Sequence, residues 1–125
     1  MRLLLDSHAA LWWLANDGLG DGCQQMISEA DEVFISPVTP WELGIKRARG
    51  KVDFPAGLLE ELEATGFVEL PITSRHAEMA AELPDLHRDP FDRMLVAQSK
   101  AEHLTLVTAD GSLAVYGIDI LDAAA

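Results

Sequence analysis

Short apolar runs recur along the chain at residues 3–5, 33–35, 67–70 and 104–107, each followed by a turn-forming or polar break: Asp6, Ser36-Pro37, Pro71 and Asp110-Gly111. Runs this short, bounded in this way, predict strands buried on both faces, and residues 118–121 predict a last short one. The stretches between them carry helix signals. Residues 8–15 predict a helix stopped by Asn16-Asp17-Gly18, and residues 22–30 predict a second. A third is expected from Thr39 or Pro40 to about Arg49, where Gly50 ends it. Pro55 opens a helix to about Ala64, residues 75–82 form another, and Pro90 opens a long one to about Glu102. Asp110-Gly111 then turns into a short helix. Strand and helix thus alternate almost throughout, which predicts an α/β fold with a mainly parallel central sheet and helices on both faces. With no repeat, linker or low-complexity stretch, residues 1–125 are expected to form one domain.

Composition narrows the function classes. Hydrophobic residues make up 49% and charged residues 24%, a globular balance. No apolar run approaches the roughly 20 residues of a membrane helix, so no membrane association is expected. The opening Met1-Arg2-Leu3-Leu4-Leu5 is interrupted by Asp6 and His8 too early for a signal peptide. The single cysteine, Cys23, excludes an internal disulfide and a cysteine-rich zinc site, so a reducing cytoplasm is the expected compartment. The formal net charge is -12, whereas proteins that bind nucleic acid by bulk charge are basic. Any nucleic acid must then be held locally, by a few basic groups or bound cations, and a basic protein partner is favoured.

Four acids stand at telling places. In an open parallel sheet, ligands bind beyond the carboxyl ends of the strands. Asp6 directly follows the first strand, Glu42 lies in the first helix after the second, and Asp110 sits just past the strand at residues 104–107. Asp92 falls in the first turn of the Pro90 helix, a position that can face the same rim. Each also has an ordinary reading. Thr39-Pro40-Trp41-Glu42 has the form of a capping box, Asp89-Pro90-Phe91-Asp92 nearly the same form, and Asp110-Gly111 is a common turn. Together they are harder to dismiss. Two carboxylates about 5 Å apart repel by roughly 3 kcal/mol at an effective dielectric of 20, so four demand a cation or protonation. All-oxygen ligands, with no Cys or His at zinc spacing, suit Mg²⁺ or Mn²⁺, which can activate water and stabilise charge on a phosphodiester. Glu42 or Asp110 is also placed to orient the attacking water.

Leu4-Leu5-Asp6-Ser7-His8-Ala9, Ser36-Pro37-Val38-Thr39-Pro40-Trp41-Glu42-Leu43, His87-Arg88-Asp89-Pro90-Phe91-Asp92-Arg93-Met94-Leu95-Val96-Ala97-Gln98 and Leu106-Val107-Thr108-Ala109-Asp110 resemble, in order and spacing, the PIN-domain ribonucleases. More narrowly, they are similar to the VapC-type toxins of bacterial toxin–antitoxin pairs, and Asp-Pro-Phe-Asp-Arg is the most specific stretch. The resemblance implies a Rossmann-like three-layer PIN fold, Mg²⁺ or Mn²⁺, hydrolysis of RNA and neutralisation by a cognate VapB-type antitoxin. It assigns the metal to Asp6 and Asp92, with Glu42 and Asp110 completing an acidic catalytic pocket. Ser7 stands where many members have Thr, which keeps the hydroxyl, and the fourth acid, here Asp110, varies most within the family.

The remaining candidates carry two readings each. Lys46, Arg47, Arg49 and Lys51 either complement a helix C-terminus or form a phosphate-contacting patch, with Lys46 and Arg47 the substrate-binding candidates. Arg93 either pairs with a nearby acid or touches substrate. Trp12 and Trp13 cannot both face one core, so one is expected to be partly exposed and to serve a protein interface, the region where VapC-type toxins contact an antitoxin. His87 is expected in a supporting role, Asp89 as a helix cap, and Cys23, His8, His76 and His103 in packing or at the surface. A homodimer is compatible with all of this. Two rival functions remain: a phosphate-accepting receiver domain, which would need paired acids after the first strand and a late Lys that this chain lacks, and a catalytically silent PIN-fold interaction module.

Overall fold

The computed structural model describes residues 1–125. Its elements are β1 (Arg2–Leu5), α1 (Ser7–Ala15), α2 (Asp21–Glu29), β2 (Glu32–Ile35), α3 (Val38–Ala48), α4 (Leu58–Ala64), β3 (Val68–Glu69), α5 (Ser74–Glu82), α6 (Pro90–Glu102), β4 (Thr105–Thr108), a 3₁₀ helix (Gly111–Tyr116) and β5 (Ile120–Asp122). The five strands form one sheet in the order β3-β2-β1-β4-β5, and every pairing is parallel. Leu4 sits between Phe34 and Leu106 in register.

Side chains alternate across a strand, so a sheet covered on both faces needs apolar residues at every position. The three central strands meet that need. Leu3, Leu5, Val33, Ile35 and Val107 pack on one face with α1, α2, α3 and α4, through residues such as Ala9, Ile27, Leu43 and Leu62. Leu4, Phe34 and Leu106 pack on the other with Leu95 and Val96 of α6 and with Leu113 and Tyr116 of the 3₁₀ helix. No helix is long and apolar enough to cross a membrane.

Several boundaries differ from those the sequence suggests, and strand β3 shortens to Val68–Glu69. Helix α3 begins at Val38, because Ser36 Oγ accepts the Val38 amide at 3.1 Å and Pro37 already has helical backbone angles. Thr39 is therefore inside the helix and fully buried, and the Thr39–Glu42 capping box does not form. Helix α4 starts at Leu58 instead of Pro55, since Gly57 has φ +87° and a helix cannot run through it. Strand β5 starts two residues later than expected, in register with Leu106 at Ile120. The alanine tail also has a place: Ala123 is buried, and its carbonyl accepts the Gly20 amide at 2.9 Å. The approach is so close that a Cβ on Gly20 would lie 2.3 Å from the backbone of Ala125.

Candidate active site

The strand order reverses direction between β1 and β4, with β2 and β3 on one side and β5 on the other. Such a switch point opens a crevice at the carboxyl ends of the strands. Asp6 leaves β1 there, its amide continuing the ladder to the Val107 carbonyl at 3.0 Å, and Asp110 lies just past β4. A cleft of about 320 Å³ opens at this point, lined by Asp6, Glu42, Asp92 and Asp110 together with Asp89. Lys46 is the one lysine or arginine in its wall.

Each acid is held by its own local structure. Asp6 caps α1, accepting the Ala9 amide at 2.7 Å, and is 8% exposed. Burial raises its pKa, opposed by the Ala9 amide, Thr108 and His8 and reinforced by Glu42. Glu42 is buried on α3, where Ser7 Oγ donates to one oxygen at 2.8 Å and Lys46 Nζ to the other at 2.6 Å. The Ser7 hydroxyl thus has a defined task. Asp89 caps α6, accepting from the amides of Phe91 at 2.8 Å and Asp92 at 3.3 Å, as its place before Pro90 suggests. Asp92, one turn in, is half-buried among like charges. Burial first, then Asp89 and Glu42, push its carboxyl up to about 7, while His87 opposes them. Asp110 differs: the Ser112 hydroxyl beside it, then the Ser112 amide and His87, hold its pKa below the ordinary carboxylate value.

His87, expected in a supporting role, lies among the acids. His87 Nε2 lies 3.2 Å from Asp110 Oδ2 and 3.6 Å from Asp92 Oδ2. One donor atom from each of these three residues falls within 4.8 Å of the others. His87 and Asp92 lie five positions apart, on a loop and on the helix that follows it. Only the path of that loop, which no periodicity encodes, makes them neighbours.

The other sequence candidates are dispersed. Arg47 places its guanidinium over the Phe54 ring, 4.7 Å from the centroid. Arg93 neither pairs with an acid nor lines the acidic cleft; its hydrogen bonds go to the carbonyls of Ala80, Leu83, Pro84 and His87 and to the Tyr116 hydroxyl. Both Trp12 and Trp13 are partly buried, on different sides of α1. Trp13 packs on Phe67 with ring centroids 5.6 Å apart, whereas Trp12 lies between the acidic cleft and a neighbouring apolar groove. The most exposed tryptophan is Trp41, at 62%, edge-on to Phe91.

Residues 3–118 match the PIN domain family. Ribonuclease VapC22 of Mycobacterium tuberculosis is 31% identical over 115 residues, covering 89% of this chain and 88% of that protein. Two solved structures share the fold. DNA-bound VapBC from Salmonella typhimurium superposes with a TM-score of 0.72 at 18% identity, and VapBC2 from Rickettsia felis bound to a promoter DNA fragment with 0.72 at 14%, each covering 98% of both chains. The acidic cleft at the sheet's switch point and these matches over nearly the whole length agree: the chain belongs to the PIN-domain family and is a homologue of the VapC-type ribonucleases.

Proposed function

We propose that the protein is a divalent-metal-dependent endoribonuclease, acting as the toxin of a toxin–antitoxin pair. The observation that carries this reading is the convergence of Asp6, Glu42, Asp92 and Asp110, from four separate segments, on one cleft. The donor set fits a hard cation: the lining is rich in carboxylate oxygens, and burial, reinforced by the charges of Asp89 and Glu42, raises the Asp92 carboxyl to about 7, so its ionised form calls for a cation. Asp6 and Asp92 would hold Mg²⁺ or Mn²⁺, with Asp110 at donor distance from Asp92. Bound there, the ion would supply an activated water and offset the charge that builds on the phosphodiester. Asp110, held by Ser112 and His87 and kept ionised, adds a further carboxylate at the mouth of the cleft. Glu42 has an oxygen engaged by Ser7 and another by Lys46, so it acts as a fixed negative wall. Lys46 is the basic group nearest the acids and is placed to meet a substrate phosphate. The test is incubation of the purified protein with a panel of single-stranded RNAs in Mg²⁺, with the product ends sequenced. Cuts at defined positions are expected; no cleavage of any RNA would leave the silent interaction module in its place.

The partner we infer is an antitoxin with an apolar anchor and a basic tip. A groove of about 320 Å³ between α1 and the segment leading into α4 is lined by Leu11, Trp12, Leu14, Phe54, Pro55 and Leu58 and rimmed by Asp17, Asp53 and Glu61. Trp12 borders both this groove and the acidic cleft, so a chain lying in the groove can reach the carboxylates with an Arg or Lys. Trp12→Ala is expected to weaken binding of the co-expressed antitoxin by tenfold or more, on the order of 2 kcal/mol for an interface tryptophan. Trp13→Ala should act on stability, since Trp13 packs on Phe67. Unchanged affinity in Trp12→Ala would remove this groove from the account.

A further inference from the structure

We propose that Arg93 is a positioning residue: its guanidinium ties down the loop before α6 so that His87 holds Asp110 beside Asp92 at the mouth of the cleft. The inference rests on the nuclease reading for its consequence, but its geometry stands without it. Arg93 follows Asp92 directly on α6, yet its side chain turns away from the acids. Nη2 donates to the carbonyls of Ala80 at 2.9 Å and Leu83 at 2.8 Å, at the end of α5. Nη1 donates to the carbonyls of Pro84 and His87, each at 3.1 Å, and reaches the Tyr116 hydroxyl at 3.4 Å. That hydroxyl in turn donates to Pro84 at 3.0 Å, closing the network.

The charge has no carboxylate partner in this network. It is balanced by carbonyl dipoles, two of them from the C-terminal turn of α5, where a helix presents its negative end. The planar fork of an arginine can address five acceptors from one point, whereas a lysine ammonium has three donors and no fixed plane. Residues 83–89 have no regular secondary structure, so this guanidinium and Tyr116 supply the hydrogen bonds that a ladder would supply elsewhere.

The consequence falls on His87. The Asp89 amide donates to His87 Nδ1 at 3.4 Å, which favours the tautomer that carries its proton on Nε2. Nε2–H then points at Asp110 Oδ2, 3.2 Å away, with Asp92 Oδ2 at 3.6 Å. The backbone of His87 is held by Arg93 through its carbonyl, and the ring by the Asp89 amide and Asp110, so the imidazole orients the Asp110 carboxylate and stands beside that of Asp92. Groups that orient the ligands of a metal site typically change affinity or activity by about 10–100-fold when removed.

The test uses Arg93→Lys, His87→Gln and the double variant, with Tyr116→Phe as a milder cut in the same network. The first readout is the ¹⁵N–¹H spectrum of the His87 ring in the metal-free protein. The Nε2–H signal of the parent should shift or broaden in Arg93→Lys and, less, in Tyr116→Phe. The second is Mn²⁺ affinity with kcat and KM on RNA. Arg93→Lys and His87→Gln should each lower affinity or kcat by about tenfold or more, with KM nearly constant, and the double variant should be no worse than either alone. An unchanged His87 signal in both Arg93→Lys and Tyr116→Phe overturns the proposal, as do effects that multiply in the double variant. If Arg93→Lys does not fold, Tyr116→Phe decides by the same spectrum. A parent that cleaves no RNA sinks the nuclease reading, while the spectrum and Mn²⁺ affinity still decide whether Arg93 places His87.

Discussion

Asp92→Asn is expected to cut RNA on the order of a thousandfold more slowly than the parent while raising the thermal midpoint of the metal-free protein. A thousandfold corresponds to about 4 kcal/mol of barrier, the scale of transition-state charge stabilisation lost with a metal-holding carboxylate. The opposite effect on stability follows from the environment of Asp92. Burial and the negative charges of Asp89 and Glu42 lift its folded pKa to about 7, against about 3.9 for an unfolded chain. The folded state therefore holds a proton that the unfolded state has released between those two values. The metal-free fold should gain stability as pH falls from about 7 toward 4, and lose it again as pH rises. Asn removes the charge and with it this dependence. Asp110 has the opposite sign: its pKa is lowered in the fold, so its contribution is present above the unfolded value and is lost only as pH falls through the folded one. Asp6→Asn should abolish cleavage as well, and Asn can still cap α1 by accepting the Ala9 amide. Thermal melts of Asp92→Asn and the parent in EDTA from pH 5 to 8 check the stability claim. A lower midpoint for the variant at pH 8, or cleavage at the parent rate, would sink the assignment of Asp92.

Chelation of divalent ions is expected to stop cleavage completely, with Mg²⁺ or Mn²⁺ restoring it and Ca²⁺ restoring little. The smaller ions demand a tight octahedral oxygen shell, whereas Ca²⁺ accepts longer, looser coordination that aligns a reacting phosphodiester poorly. Calorimetry adds a test that needs no RNA. Below about pH 7 a proton competes for Asp92, so cation affinity should fall by up to about tenfold per pH unit, with proton release on binding. At a concentration 100 times its dissociation constant, the ion should also stabilise the fold by about 2.7 kcal/mol. Full activity in excess EDTA, or affinity flat from pH 5.5 to 7, would take the cation out of this site.

The apolar residues at 3–5, 33–35 and 104–107, with the breaks after them, were enough to predict the alternating elements and the buried parallel sheet. A strand covered on both faces needs apolar residues at consecutive positions, and that demand is local. The same locality placed Asp6 and Asp110 at strand ends, Asp89 as a cap and Asp92 one turn beyond it. Tertiary structure decided what those residues meet. Strand order set the switch point between β1 and β4, which local pattern does not encode. The start of α3 was decided by Ser36, and that start ruled out the capping box that Glu42 could also have closed and left it a buried carboxylate gripped by Ser7 and Lys46. Trp12 and Trp13 are adjacent and chemically alike, yet Phe67 takes one while the other borders the cleft, because a helix sends neighbouring side chains about 100° apart. His87 and Arg93 depended on tertiary structure most. Periodicity records which face of an element is buried, but a histidine's carboxylate partners and an arginine's carbonyl partners are set by where an irregular loop runs, and that path is fixed only when α5, α6 and the 3₁₀ helix pack together.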